Sequence, residues 1–241
     1  MKAILICGAE SVSFKGMLKV SDLNYSCLNL YHYLRKNVRL PEENIFSYDG
    51  RGVLRLKANG IANEISRIIA LDPYEPLVLY YGGHGLDGGW KLYKKSGKAA
   101  DGYSLDHKKL ANVLQKQQGP LIIIADCCYA MSLKKRLKKL SCKLLLLGLS
   151  PENLVGYGSV VNQLVRKWAS RKIANPLYDN SYQKVRYVKV KRYLKPLGWI
   201  CIVGKKSRRY YPQGDSKKVK LVLRQGDDLD YLLYPKIKNR H

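Results

Sequence analysis

Acidic residues are scarce in this sequence, and long hydrophobic runs are absent. The chain of 241 residues has 18 Asp and Glu against 44 Lys and Arg, which gives a formal net charge of +26. No run approaches the roughly 18 consecutive apolar residues that a membrane-spanning helix needs, and the short apolar run at residues 3–8 lacks the cleavage pattern of a signal peptide. These absences predict a soluble, cytoplasmic protein without membrane contact.

The six cysteines do not form the spaced framework of a secreted, disulfide-bonded protein. Cys7 and Cys201 lie inside apolar runs, and Cys127 is adjacent to Cys128. Reduced thiols in a reducing compartment fit this pattern better. The sequence also lacks the Asp-x-Asp-x-Asp-Gly loop that is typical of calcium sites. We therefore expect no metal or other cofactor, and a calcium requirement stays open.

Strand and helix patterns alternate along the chain. Apolar runs predict strands at 3–7 and 44–48, strands that begin at 77 and 121, and strands at 143–147 and 199–203. Helical spacing predicts helices at 22–38, 61–71, 105–117 with Ser104 as N-cap, from about 132, and at 156–168. This order predicts an α/β fold, a three-layer α/β/α sandwich with a mostly parallel central sheet. We expect one domain at 1–205, with 206–241 as a basic extension or hairpin packed on it.

Two of the predicted strands end in chemically reactive side chains. One run leads to His84-Gly85 and the other to Asp126-Cys127-Cys128. Because the carboxyl ends of parallel strands share one edge of a sheet, we expect His84 and Cys128 to lie close together. An imidazole beside a thiol can take its proton and generate a thiolate nucleophile, and the N–H groups of Gly85 and Cys128 could hold the oxyanion that forms. The pattern indicates a cysteine peptidase.

These two motifs, 44 residues apart, resemble those of the caspase-like cysteine peptidases, the group of caspases, metacaspases, paracaspases and legumain. The acid two places before the second cysteine is most similar to metacaspases and paracaspases. The resemblance covers roughly residues 1–205 and implies that Cys128 is the nucleophile, His84 the general base and Cys127 a bystander. Metacaspases usually continue with His-Ser-Gly where this chain has Tyr129-Ala130-Met131. The subfamily therefore stays open.

The resemblance also implies a substrate preference. In metacaspases and paracaspases the acid that matches Asp126 binds the Lys or Arg before the scissile bond, and in an extended strand Asp126 and Cys128 point to the same side. We therefore expect cleavage of protein or peptide substrates after Lys or Arg. Asp22, Ser150 and Glu152 are further candidates for this pocket, and Asp22 suits a helix N-cap equally well.

The positive charge is concentrated in the second part of the chain. Residues 1–130 carry 17 basic and 12 acidic residues, whereas residues 131–241 carry 27 and 6. Basic clusters with interleaved tyrosines at 184–195 and 205–211 suit phosphate contacts and base stacking, so nucleic acid or another polyanion is a candidate partner. The alternative is a solvated, lysine-rich surface.

Two other interpretations stay open. The chain could be an inactive caspase-like fold that serves as a nucleic-acid-binding protein or a scaffold. His84, Cys127 and Cys128 could instead bind zinc, although no Cys-x-x-Cys or second histidine group accompanies them. A peptidase predicts an alkylation-sensitive Cys128, whereas a nucleic-acid-binding protein predicts salt-sensitive binding that is indifferent to Cys128.

Overall fold

A six-stranded sheet forms the centre of the protein in the computed structural model. The structure describes residues 1–8, 21–48, 50–92, 104–150, 161, 184–187, 215–218, 222–225 and 230–233. The strands are β1 (Lys2–Cys7), β2 (Ile45–Tyr48), β3 (Leu77–Gly82), β4 (His84–Leu86), β5 (Gly89–Lys91), β6 (Ser104–Asp106), β7 (Leu121–Asp126), β8 (Leu144–Gly148), β9 (Lys184–Tyr187), β10 (Asp215–Lys218) and β11 (Val222–Gln225). The helices are α1 (Ser21–Tyr33), α2 (Gly50–Leu71), α3 (His107–Leu114) and α4 (Lys134–Leu137). Shorter turns of helix lie at Leu34–Val38, Glu42–Asn44, Ala130–Leu133 and Asp230–Leu233.

The strand order of the central sheet is β2, β1, β3, β7, β8, β11. The first five strands are parallel to one another, and β11 is antiparallel to β8. Strands β4, β5 and β6 form a small antiparallel sheet, and β9 pairs with β10. The prediction of a mostly parallel sheet is confirmed. Because β11 belongs to the central sheet, part of the segment after residue 205 contributes to the main fold, and a domain boundary at 205 stays a prediction.

Side chains of the central strands alternate between two apolar cores, one on each face of the sheet. In β1, Ile4 and Ile6 pack with residues of α2, whereas Ala3 and Leu5 pack with residues of α1. The strands are apolar on both faces because helices cover both. The predicted three-layer α/β/α arrangement is therefore confirmed.

The helices differ from their predicted bounds, and α3 spans His107–Leu114 rather than 105–117. Helix α2 begins at Gly50 rather than near residue 61, and a kink at Lys57 interrupts it. The prediction of Ser104 as the N-cap of the third helix is wrong, because α3 begins three residues later at His107, and Ser104 is paired with Lys91 of β5. The carboxylate of Asp106 accepts hydrogen bonds from two N–H groups of the first turn of α3 and caps it instead.

Several predicted elements fall outside the residues that the structure describes. These are the helix at 156–168 apart from Val161, the strand at 199–203 and the basic cluster at 205–211. In the described part of the chain, no helix combines the length and the apolar character that crossing a membrane requires.

Candidate active site

The ends of β3 and β7 lie side by side at one edge of the central sheet. Gly82 is paired with Asp126, and the N–H of Gly83 donates to the carbonyl oxygen of Asp126 over 3.4 Å. His84 and Cys128 each lie two residues beyond that pair. The parallel register therefore brings both residues to the same edge of the sheet, where ligands bind in open α/β folds.

The backbone of Gly85 lies directly against Cys128. A Cβ atom on residue 85 would overlap the carbonyl oxygen of Cys128 and come within 3.2 Å of Sγ of Cys127. No side chain fits in that space, so the close approach of the two segments requires glycine at this position. The segment that carries His84 and the segment that carries Cys128 are thus in backbone contact.

A short hairpin formed by β4 and β5 presents His84, whose side chain is exposed. His84 and Lys91 are partners in its register, and the hydroxyl of Tyr81 lies 2.9 Å from the carbonyl oxygen of His84 and 2.6 Å from that of Lys91. Burial raises the pKa of Tyr81 well above its usual value, so this hydroxyl keeps its proton and can donate it. Trp90 stacks on the Tyr81 ring with centroids 4.6 Å apart. The base of the hairpin is therefore fixed to the core.

The two adjacent cysteines occupy different environments. Cys127 is buried in the core, and burial raises the pKa of its thiol well above the usual value. Cys128 is partly exposed, whereas the other described cysteines, Cys7, Cys27 and Cys142, are buried like Cys127. Since the thiolate is the nucleophile, Cys128 is the described cysteine that is placed to react with a substrate.

Asp126 is completely buried, on the α1 side of the sheet. It continues the alternation of Ile122 and Ile124, which pack on that side. Tyr80 lies on the same face, and its hydroxyl reaches the end of the strand, since a Cβ atom on Gly82 would overlap it. Burial, and then the charge of Asp126, raise the pKa of Tyr80 well above its usual value. Among the described residues, the Tyr80 hydroxyl has no hydrogen-bond partner.

Sequence reasoning missed Tyr80. Tyr80 lies two residues before Gly82, so its side chain points to the same face of the sheet. That spacing indicates that Tyr80 is near Asp126 only once the pairing of Gly82 with Asp126 is known. Tyr80 and Asp126 together place a carboxylate at the candidate site, and a hydroxyl that no described residue contacts by a hydrogen bond.

Ser150 lies at the same edge, beyond the end of β8, and is completely buried. Its hydroxyl donates to the carbonyl oxygen of Cys127 over 3.1 Å and accepts the N–H of Ala130 over 3.2 Å. Its carbonyl oxygen accepts the N–H of Met131 over 3.1 Å. The structure therefore brings Ser150 to the segment around Cys128, where its polar atoms contact the protein backbone.

The other two pocket candidates cannot be placed in the same way. Asp22 belongs to α1, but its side chain is not among those described, and Glu152 lies outside the described residues. No three or more His, Cys, Asp or Glu side chains in the described ranges form a group that could hold a metal ion. His84, Cys127 and Cys128 are therefore not arranged as a zinc site.

His107, which the sequence did not single out, supports the segment after Cys128. It is buried, and its Nδ1 lies 3.2 Å from the Ser132 hydroxyl oxygen. Its ring meets Trp90 edge to face, with centroids 6.1 Å apart. Burial is the main cause that lowers the pKa of His107 to about 4, so the imidazole is neutral at physiological pH.

No protein-family model and no curated protein matches the sequence. Among solved structures, the chain is similar to Raptor from Chaetomium thermophilum, with 14% identity and a TM-score of 0.38 over 60% of this chain and 15% of that one. It is also similar to a secreted C11 cysteine protease from Bacteroides thetaiotaomicron that was solved with an irreversible peptide inhibitor. That match has 11% identity and a TM-score of 0.41, and covers 73% of this chain and 55% of that one. The chain thus spans less than two thirds of either protein, and neither likeness assigns it a function.

Proposed function

We propose that this chain is a cysteine endopeptidase in which Cys128 is the nucleophile and His84 the general base. The observation that carries the proposal is the backbone contact between Gly85 and Cys128, which leaves no room for a side chain between their segments. The paired ends of β3 and β7 support it, since they lead both reactive residues to one edge. The exposure of His84 and Cys128 and the burial of Cys127 fit the same assignment.

The reaction follows from these roles. His84 takes the thiol proton of Cys128, and the thiolate attacks the carbonyl carbon of the scissile peptide bond. The N–H groups of Cys128 and Gly85 stabilise the negative oxygen of the tetrahedral intermediate. His84 then gives the proton to the leaving amine as the C–N bond breaks. Water, deprotonated by His84, hydrolyses the thioester and restores the thiol.

The buried carboxylate of Asp126 favours substrates with Lys or Arg before the scissile bond. A cationic side chain that enters on the α1 face would gain charge-assisted hydrogen bonds with Asp126. The hydroxyl oxygen of Tyr80, which has no partner among the described residues, offers a further acceptor at the same place. Asp22 and Glu152 stay predicted members of this pocket.

The motifs around His84 and Cys128 resemble those of caspase-like peptidases, and that resemblance leads to the same reaction. Membership of the metacaspase branch stays a prediction, since residues 129–131 depart from the metacaspase pattern. A calcium requirement is tested by assaying the protein with added calcium and with a chelator.

The deciding experiment uses fluorogenic peptides that end in Arg, Lys, Asn or Asp, with the wild type and three variants. We expect cleavage after Arg and Lys, with a loss of at least about 1,000-fold in Cys128→Ala and His84→Ala. Cys127→Ala is the matched control and should keep its activity, because Cys127 is buried. Activity that persists in Cys128→Ala, or a wild type that cleaves no peptide with or without calcium, contradicts the peptidase proposal. Cleavage after Asp or Asn instead overturns the role of Asp126 alone.

A second candidate function is the binding of a polyanion, favoured by the surface of α3 and α4, which pack side by side. Residues 107–150 contain nine Lys and Arg but one acidic residue, the buried Asp126. Most of these basic side chains are exposed, and Arg136, Lys138 and Lys139 form no ion pair with another described residue. Such a surface attracts phosphate groups.

Nucleic acid fits this surface better than a membrane does. Membrane-surface helices place large apolar side chains beside their basic residues. The exposed large apolar residues of the described ranges are Leu28, Leu71, Tyr74 and Leu86, and none of them lies on α3 or α4. A surface with charge and without apolar anchors suits a phosphodiester backbone.

The test for this function compares two double substitutions that remove equal charge. Lys138→Gln with Lys139→Gln should weaken binding to a single-stranded oligonucleotide and lower the salt dependence, with a slope reduced by about 1.4. Lys36→Gln with Arg55→Gln, which changes one residue of the turn at Leu34–Val38 and one of α2, should have little effect. Equal weakening by both pairs would attribute binding to the overall charge of the chain and contradict a defined site. Binding that also persists in Cys128→Ala separates this function from the peptidase activity.

A further inference from the structure

Cys128 lies in a turn of four residues, 127–130, which we call the nucleophile turn. Tyr129 in this turn has φ 53° and ψ 23°, the left-handed conformation. That conformation is unfavourable for residues other than glycine, because it brings Cβ close to the carbonyl oxygen. Strained backbone of this kind persists where the surroundings hold it and often lies at functional sites. The residue after Cys128 therefore requires contacts that fix the turn.

The side chain of Ser150 supplies such contacts. In a hydrogen-bonded β-turn the first carbonyl pairs directly with the N–H three residues later. Here the Ser150 hydroxyl bridges those two groups, since it donates to the carbonyl of Cys127 over 3.1 Å and accepts the N–H of Ala130 over 3.2 Å. The carbonyl of Ser150 accepts the N–H of Met131 over 3.1 Å. Ser150 thus holds the backbone on both sides of Cys128.

The position of Ser150 is itself fixed by the central sheet. Gly148 is paired with Ala125, and the N–H of Leu149 donates to the carbonyl oxygen of Ala125 over 3.0 Å. Ser150 follows directly and is completely buried. The nucleophile turn is therefore held by a residue that directly follows strand β8. Strands of a sheet position site residues more precisely than loops do.

We propose that Ser150 is a positioning residue that keeps the nucleophile turn in its strained conformation and so aims the Cys128 thiol. The inference deepens the peptidase proposal and rests on it. Ser150 acts through the backbone and does not contact the substrate. Its hydroxyl donates a hydrogen bond to the Cys127 carbonyl and accepts one from the Ala130 N–H, and its side chain is buried.

The test combines Ser150→Ala with Tyr129→Gly. Ser150→Ala should lower both kcat and the rate of Cys128 alkylation by iodoacetamide by about tenfold or more, because the thiol loses its alignment, and should change KM by less than about twofold. Adding Tyr129→Gly should recover much of both losses, since glycine adopts the left-handed conformation without strain. Ser141→Ala, at an exposed serine, is the control and should match the wild type.

Two results would overturn the role of Ser150. One is a rise in KM with an unchanged alkylation rate, which would indicate substrate contact. The other is an equal loss in Ser150→Ala and in the double variant. Alkylation, located on Cys128 by mass spectrometry, needs no peptide cleavage. A wild type that cleaves no peptide therefore defeats the proposed function while the role of Ser150 is still decided.

Unfolding provides a second measurement should Ser150→Ala fail to fold. The strain predicts that the double variant folds again, and that Tyr129→Gly melts about 2 to 4 °C above Tyr129→Ala, since alanine also disfavours the left-handed region. A double variant that stays unfolded, or a higher melting temperature for Tyr129→Ala, contradicts the proposal.

Discussion

The two edges of the central sheet differ in how their polar groups are satisfied. At the edge where the parallel strands begin, the buried ammonium of Lys2 lies 3.3 Å from the carbonyl oxygen of Ile68 and 3.1 Å from that of Asp72. The amide of Gln117 donates to the carbonyl oxygens of Glu75 over 2.8 Å and Gly119 over 3.2 Å. Buried polar groups at this edge are paired, as stability requires.

The edge where the strands end combines features that cost stability. The hydroxyl of Tyr80 has no hydrogen-bond partner among the described residues, and Tyr129 has a left-handed backbone. Proteins keep strained or unpaired groups mainly where function uses them. Arg39, before β2, also has a left-handed backbone, so the conformation of Tyr129 supports the proposed site at Cys128 only together with the Tyr80 hydroxyl.

Two glycines at opposite edges provide the strongest test of this comparison. A Cβ atom on Gly85 would overlap the carbonyl oxygen of Cys128, and a Cβ atom on Gly119 would overlap that of Tyr74. Gly85→Ala and Gly119→Ala should each lower the free energy of unfolding by about 2 to 4 kcal/mol, because a backbone segment must shift. Only Gly85→Ala should also lower kcat per folded molecule, by about 100-fold.

Denaturant unfolding gives the stabilities, and peptide cleavage normalised to the folded fraction gives the activities. Comparable loss of activity in both variants would contradict the division between the two edges. Full activity in Gly85→Ala would contradict the contact on which the site is built.

The acid sensitivity of the protein should depend on His107, which packs next to the segment after Cys128. Its pKa is about 4 in the folded protein, against an ordinary value near 6.5, because burial outweighs the nearby charges of Asp106 and Asp87. Between pH 6.5 and 4, His107 is protonated in the unfolded chain but stays neutral in the folded protein. The free energy of unfolding should therefore fall by up to about 3 kcal/mol as the pH decreases through this window, and the stability is fully present above it.

His107→Asn isolates this contribution, since it removes the titrating group and can keep a hydrogen bond to Ser132. Unfolding curves at several pH values should show a smaller decrease for the variant than for the wild type. An equal decrease in both proteins would mean that other groups cause the acid sensitivity.

The sequence predicted those features that depend on local pattern. Apolar runs identify the strands that end near His84 and Cys128, and the geometry of parallel sheets then places both residues at one edge. Features that depend on distant pairing were not predictable in this way. Ser104 and Asp106 are both suitable N-caps and both lie in β6, but α3 begins only at His107, after β6 has paired with β5, so Asp106 caps it. The hydrogen bonds of Ser150 likewise depend on the register of β7 and β8.

The last and smallest effect concerns Tyr80. Removing a buried hydroxyl that has no partner in the described part of the chain should leave the free energy of unfolding unchanged or raise it by up to about 1 kcal/mol, so Tyr80→Phe should not destabilise the protein. The same change removes an acceptor beside Asp126 and should lower kcat/KM for Arg and Lys peptides by about threefold to tenfold.

In Tyr80→Phe the free energy of unfolding should therefore stay the same or rise, while kcat/KM for Arg and Lys peptides falls. The matched control is Tyr33→Phe, because the Tyr33 hydroxyl donates to the carbonyl oxygen of Leu233 over 2.7 Å. Losing that paired hydroxyl should cost about 1 kcal/mol without changing peptide preference. A loss of stability in Tyr80→Phe as large as in Tyr33→Phe would mean that the Tyr80 hydroxyl is satisfied in the folded protein. The Tyr80 hydroxyl would then not be an acceptor for the substrate, and selection for Lys or Arg would rest on Asp126 alone.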